Sequence, residues 1–163
     1  MAPKATPTEA TMATNSMSYF GDVHAIVLRQ HAEIRSRLRG LDVGSMPVAA
    51  GIETAFLRVS LLRLAALFEA HLVFEERELA PRIREMDAWG PVREAAMLAE
   101  HTEQRSRIQQ ICVRAEAEIT EDEGLSREAS ALVVSLLEDM AREETELAFL
   151  AQQDEYGVDQ MTG

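Results

Sequence analysis

Along most of the chain, apolar side chains return every three or four positions, the spacing that places them on one face of an α-helix. One such stripe runs Leu57, Leu61, Leu64, Phe68, His71, Glu75 and Leu79, and a second runs Leu132, Leu136, Asp139, Glu143, Leu147 and Leu150. A third is His24, Leu28, His31 and Leu38, with Leu41 beyond its end; a fourth is Met97, His101, Ile108 and Cys112. Breakers divide these stripes into four helices. The first is expected from Ser18 or Asp22 to Arg39, closed by Gly40 and a turn over Asp42 to Pro47. The second runs from near Pro47 to about Ile83, with Pro81 weakening only its last turn. Trp89, Gly90 and Pro91 mark a corner, and Pro91 suits the first turn of the third helix, which ends near Ile119. Gly124 closes an acidic turn and Ser126 caps the fourth helix, which continues to about Gln153. Long helices joined by short turns predict an all-α fold, an up-down-up-down antiparallel four-helix bundle over residues 19–153. Residues 1–18 are expected to form a disordered leader and 154–163 a flexible tail.

Composition supports helix throughout, because aromatics make up only 5% and Ala, Leu, Glu and Arg dominate. At 163 residues the chain can bury a core as one domain without disulfides, and its single cysteine, Cys112, permits no intrachain bridge. That suits a cytoplasmic protein. Residues 1–18 lack the apolar run of a signal peptide or membrane helix. With 28 acidic against 16 basic residues, the net charge of -12 opposes nucleic-acid and anionic-membrane partners. The same charge is compatible with metal cations, or simply with a well-solvated surface. No Gly-rich phosphate loop, nucleophile elbow or Cys-x-x-Cys pair is present.

What interrupts each apolar stripe carries the chemistry. HAEIRSRLRGL, from His31, aligns with HTEQRSRIQQI, from His101, while HLVFEERELAP, from His71, aligns with DMAREETELAF, from Asp139. The chain is therefore a two-fold repeat in which each half offers one histidine, then a residue followed four positions later by glutamate. Residues four apart on a helix share a face about one turn, roughly 6 Å, apart. His71 with Glu75, and Asp139 with Glu143, can each present two donor atoms to one site. His31 and His101 add imidazoles from the other two helices. Buried imidazoles and carboxylates are costly without partners. Three of each at one level point to metal, and nitrogen and oxygen donors without thiolate suit iron, manganese or zinc. The competing reading makes the histidines hydrogen-bonded core residues, Glu75 and Glu143 outward charges like Glu76 and Glu144, and Asp139 a partner to an imidazole rather than a ligand. His24, two turns and roughly 10 Å before His31, is set outside the ligand group.

These phrases resemble the hemerythrin-like, or HHE cation-binding, proteins over residues 20–150. The resemblance rests on LRQHAEIRSRL, HLVFEERELAP, AEHTEQRSRI and EETELAF; a histidine, three residues, two glutamates and then Leu before Pro is the usual family phrase. It implies a four-helix bundle around two non-haem iron ions, bridged by two glutamates and an oxygen atom. His31, His71, Glu75, His101 and Glu143 match family ligands position by position. The remaining family ligand is normally a histidine, and here it is Asp139. An added carboxylate beside the metals stabilises the ferric state, which opposes reversible O2 carriage. The expected function is thus a centre that binds, senses or reacts with O2, peroxide or nitric oxide, as carrier, sensor or redox enzyme. The contrasting expectation is a metal-free bundle serving as an interaction module or scaffold.

Overall fold

The computed structural model describes residues 8–39, 50–117 and 123–159, with side chains described over 20–39, 55–117 and 124–152. Helix is the only regular structure among them. In chain order come α1 (Thr8–Arg39), α2 (Ala50–Phe74), a π-helical turn (Glu75–Leu79), α3 (Ala80–Met86), α4 (Gly90–Glu116) and α5 (Glu123–Asp159). Among the described residues no helix is long and apolar enough to cross a membrane.

Both long outer helices extend past the expected limits. α1 starts at Thr8 rather than Ser18, so residues 8–18, assigned to the leader, are helical instead. No glycine or proline interrupts this stretch, and Ser, Thr and Asn each cost a helix only a few tenths of a kcal/mol. At the other end α5 runs through Gly157 to Asp159, past the expected stop at Gln153. It also begins at Glu123, so Gly124 and Ser126 lie inside its first turn instead of preceding it. An acidic run suits a helix N-terminus, whose exposed N–H groups attract negative charge. Gly40, the Asp42 to Pro47 turn and Ile119 lie outside the described residues.

The core has two layers. The larger joins Ile34 and Leu38 of α1, Leu57 to Leu72 of α2, Ile108 and Ile111 of α4, and Leu132, Leu136 and Met140 of α5. The smaller joins Phe20, Val23 and Val27 of α1 with Leu79, Ile83, Leu147 and Leu150. On each long helix the switch between layers falls at a histidine or glutamate: His31 on α1, Glu75 after α2 and Glu143 on α5. Met97 of α4 packs on the smaller layer, so His101 marks the switch there too. The order alternates, small layer then large on α1 and α4, large then small on α2 and α5.

Local register departs from the expected stripes in two places. Leu28 is 39% exposed, and α1 turns Val27, His31, Ile34 and Leu38 inward instead. On α4 the buried face is His101, Gln104, Ile108 and Ile111, with Cys112 only half-buried. Spacing of three and four alternately, as at 27, 31, 34 and 38, tracks the helix period more closely than steps of four, which drift around the axis.

The π turn resolves a conflict written into the second stripe. Buried positions 57, 61, 64, 68, 71 and 75 follow alternating steps of four and three that lead next to 78 and 82, but the apolar residues are Leu79 and Ile83. One extra residue is needed. Ala80 N–H reaches back to the Glu75 carbonyl, five residues away, and this wider turn supplies it. Pro81, which lacks an N–H and crowds the preceding turn, favours a break in the ordinary ladder at this point.

The corner between α3 and α4 is tight. Asp87 Oδ1 accepts hydrogen bonds from the Trp89 amide and Arg93, both at 2.8 Å, which brings the chain around to Gly90. A Cβ on Gly90 would lie 2.3 Å from the Arg84 carbonyl oxygen and 2.4 Å from that of Ile83. Backbone on both sides leaves no side chain to move aside. Gly90→Ala is therefore expected to destabilise the fold by about 2 kcal/mol or more, read as a lower urea midpoint at unchanged slope.

Candidate metal centre

Four residues, from α1, α2, the π turn and α5, meet where the core layers join. His31, His71, Glu75 and Glu143 each offer one donor atom, and those atoms all lie within 4.8 Å of one another. His31 and His71 face each other with Nε2 atoms 3.2 Å apart. His71 Nε2 is 3.2 Å from Glu75 Oε1, and His31 Nε2 is 3.4 Å from Glu143 Oε2. His101 stands on the far side of the same glutamate, its Nε2 3.2 Å from Glu75 Oε2. His31 and Glu75 are fully buried.

The outward nitrogen of every imidazole is occupied. His31 Nδ1 donates to Glu144 at 2.9 Å, His71 Nδ1 to Gln30 at 3.0 Å, and His101 Nδ1 to Glu76 at 3.1 Å. With the proton on Nδ1, each Nε2 lone pair points at the centre. Arginines fix the two carboxylates in turn: Arg35 binds Glu144 at 2.6 Å, and Arg105 binds Glu76 at 2.5 Å. Oxygen acceptors behind histidine ligands are the usual means of setting ring orientation and basicity.

Helix periodicity does not mark Glu76, Glu144, Arg35, Arg105 or Gln30, and it places Glu76 and Glu144 among solvent-facing charges. Their signal is in the repeat. Both halves carry His-x-x-x-Arg, at 31–35 and 101–105, and both carry a Glu-Glu doublet, at 75–76 and 143–144. The pairing crosses between halves: His31 and Arg35 hold the second glutamate of the second half, His101 and Arg105 that of the first. Glu76→Ala and Glu144→Ala are each expected to weaken metal binding by about 10- to 100-fold while leaving helical content intact, measured by metal titration beside circular dichroism.

Asp139 breaks the symmetry. Its repeat partner His71 sits in the cluster, whereas Asp139 accepts from Gln104 Nε2 at 3.3 Å and Arg142 at 3.2 Å and lies 3.6 Å from Arg107. Two guanidinium groups and an amide thus hold it, and no imidazole does. His24, half-buried on α1, also stands apart from the cluster, with no hydrogen-bond partner at Nε2.

Electrostatics at the centre favour a cation. Burial, then the charge of Glu143, pushes the Glu75 carboxyl well above the usual range. Burial pushes Glu143 up too, but the neighbouring His31 and Glu75 outweigh this and hold it down. The pair keeps its proton on Glu75. Burial, with His31 alongside, lowers His71 to about 3, and burial also lowers His101, so both are neutral at physiological pH. Neither Glu75 oxygen accepts a hydrogen bond. The imidazole lone pairs of His31 and His71, facing across 3.2 Å with the Glu143 carboxylate beside them, repel without positive charge among them. Donors about 2.0–2.1 Å from one ion, at tetrahedral or right angles, lie roughly 2.9–3.4 Å apart. The 3.2 and 3.4 Å separations fall in that range. These residues can hold a metal ion.

The chain matches no known family model, no curated protein and no solved structure.

Proposed function

We propose that this protein is a hemerythrin-like four-helix bundle whose buried centre holds two non-haem iron ions and binds or reacts with O2, peroxide or nitric oxide. The observation that carries the reading is the convergence of three imidazole Nε2 atoms on the two unpartnered oxygens of Glu75. Oxygen Oε1 faces His71 and His31, and Oε2 faces His101. A carboxylate with nitrogen donors at both ends is suited to bridging two ions. His31, His71 and Glu143 would complete one position, His101 the other, and Asp139 would join only by leaving Gln104. The alternating order of core layers along the helices supports the up-down-up-down arrangement.

Bound iron supplies redox chemistry and open positions for a small oxidant. The chain's own residues orient the imidazoles through Glu76, Glu144 and Gln30 and exclude bulk water with the apolar layers on either side. A metal-free scaffold is the poorer reading, because it would bury the His31 and His71 lone pairs face to face and leave the Glu75 oxygens without a donor. Elemental analysis of protein purified without added metal tests the proposal. Close to two irons per chain is the expected result. Two zinc or manganese ions would retain the dinuclear site and exclude the redox reading for iron, and no uptake even of added ferrous ion would overturn both.

A further inference from the structure

Neighbouring helices meet along four seams, and at the level of the metal centre polar contacts close three of them. Between α1 and α5, the ion pair of Arg35 with Glu144 stands behind His31. Between the π turn and α4, the pair of Arg105 with Glu76 stands behind His101. Between α1 and α2, the Gln30 carboxamide closes on His71. The two apolar layers cover the centre at either end. His31 and Glu75 are accordingly 0% exposed, and His71 only 2%.

The seam between α4 and α5 differs. Polar contacts cross it as well, from Gln104 to Asp139 and from Arg142 to Glu100. They line a cavity of about 680 Å³ instead of filling the seam, and His101 and Glu143 form part of its wall. The Glu143 side chain is 26% exposed, which makes it the one member of the four-residue cluster that is not buried. The depressions walled by Leu62 and Cys112, and by Ala148 and Gln152, reach no residue of the centre.

Charge along the wall suits a cation. Arg93 is engaged by Asp87, and Arg142 by Glu100 and Asp139, with Arg107 near Asp139 as well. Among the described residues no arginine pairs with Glu143 or with Glu146, which follows it by about one turn of α5 in the same wall. Uncompensated negative charge in a walled cleft concentrates cations and speeds their arrival. The cavity has room for a hydrated ion, since a water takes up only about 30 Å³.

We propose that this cavity is the passage by which a divalent cation enters and leaves the centre, with Glu146 drawing it in and Glu143 the first ligand that it meets. That role rests on the metal centre proposed above and concerns the rate of exchange, not the affinity. Affinity is the ratio of the two rates, and obstructing a passage slows both alike.

The probe is cobalt(II), mixed with the full metal-free chain in stopped flow and followed by its visible absorption, with release followed in excess EDTA. Met97→Trp should fill the passage and slow uptake and release about tenfold or more each, with the dissociation constant within about twofold of the original. Ala96→Phe is the second filling variant if the first does not fold. Leu62→Trp, on the seam between α2 and α4, should alter neither rate. Glu146→Gln should slow uptake about threefold at low ionic strength and hardly at all in about 0.5 M salt, as electrostatic steering requires. Cobalt binding at rates unaltered by a folded filling variant would sink the passage and leave the metal centre standing. Slowing matched by lost affinity in both filling variants would also sink it, since the centre itself would then be disturbed. Uptake indifferent to Glu146→Gln at low salt would overturn the steering. No cobalt uptake by the unaltered chain would overturn the passage and the metal centre together.

Discussion

Glu75→Gln is expected to abolish metal uptake and, in the same experiment, to raise the stability of the metal-free protein. The amide keeps the size and shape of the side chain but cannot ionise, so the penalty of placing a carboxyl among His71, His101 and Glu143 disappears. Removing an uncompensated buried carboxyl stabilises by about 1–2 kcal/mol, which for a chain of this size raises the melting temperature by about 3–6 °C. Metal affinity should fall at least about 100-fold, since both ends of the proposed bridge lose their charge in one substitution. Opposite signs for stability and binding identify a residue retained for function at the expense of the fold. A purely structural Glu75 would behave otherwise: its replacement would lower the melting temperature. Thermal denaturation in chelator, paired with metal titration, separates the two. A variant that is stabilised yet still binds metal would remove Glu75 from the ligand set.

The helices and the level of the site were legible because one physical signal wrote both. Apolar periodicity defines a helix face, and a buried ionisable group interrupts that face visibly, as His71 and Glu75 do between Phe68 and Leu79. Sequence repetition then linked helices far apart in the chain. The pattern did not reveal atoms one layer out. Glu76 and Glu144 follow their neighbours by one position, 100° around the helix, and periodicity alone assigns such residues to solvent. Each is turned to account by a histidine on another helix, a contact that no spacing within one helix encodes. Asp139 illustrates the converse. Its position four residues before Glu143 fits ligation, but the deciding partners, Gln104 and Arg107, lie on α4. Helix ends were missed for a simpler reason: Gly124, Ser126 and Gly157 are only weak stops, and their neighbours carried the helix through them.

Metal-loaded and metal-free protein should differ most in alkaline solution and least in acid. Glu75 holds its proton more tightly in the folded chain than in the unfolded one, because burial and Glu143 raise it above the ordinary 4.5. Its contribution to metal-free stability is therefore fully present below pH 4.5 and is lost as pH rises through the raised folded value. His71 acts in the opposite sense. Its value drops from 6.5 to about 3 on folding, so the unfolded chain takes the extra proton and stability is lost as pH falls from 6.5 toward 3. The metal-free protein should accordingly be most stable in mildly acidic to neutral solution. A bound ion reverses the alkaline limb, because it takes the place of the Glu75 proton. While that proton is present, each unit of pH should raise apparent metal affinity about tenfold, adding about 1.4 kcal/mol to the stabilisation by bound metal. At a free metal concentration about 1,000 times the dissociation constant the stabilisation is about 4 kcal/mol, or about 10 °C in melting temperature. Melting curves with metal and with chelator should diverge as pH rises from 4.5 toward the raised Glu75 value, and Glu75→Gln should collapse the two onto one line. A gap that stayed constant, or widened in acid, would mean that the ion binds without displacing the Glu75 proton and therefore outside this cluster.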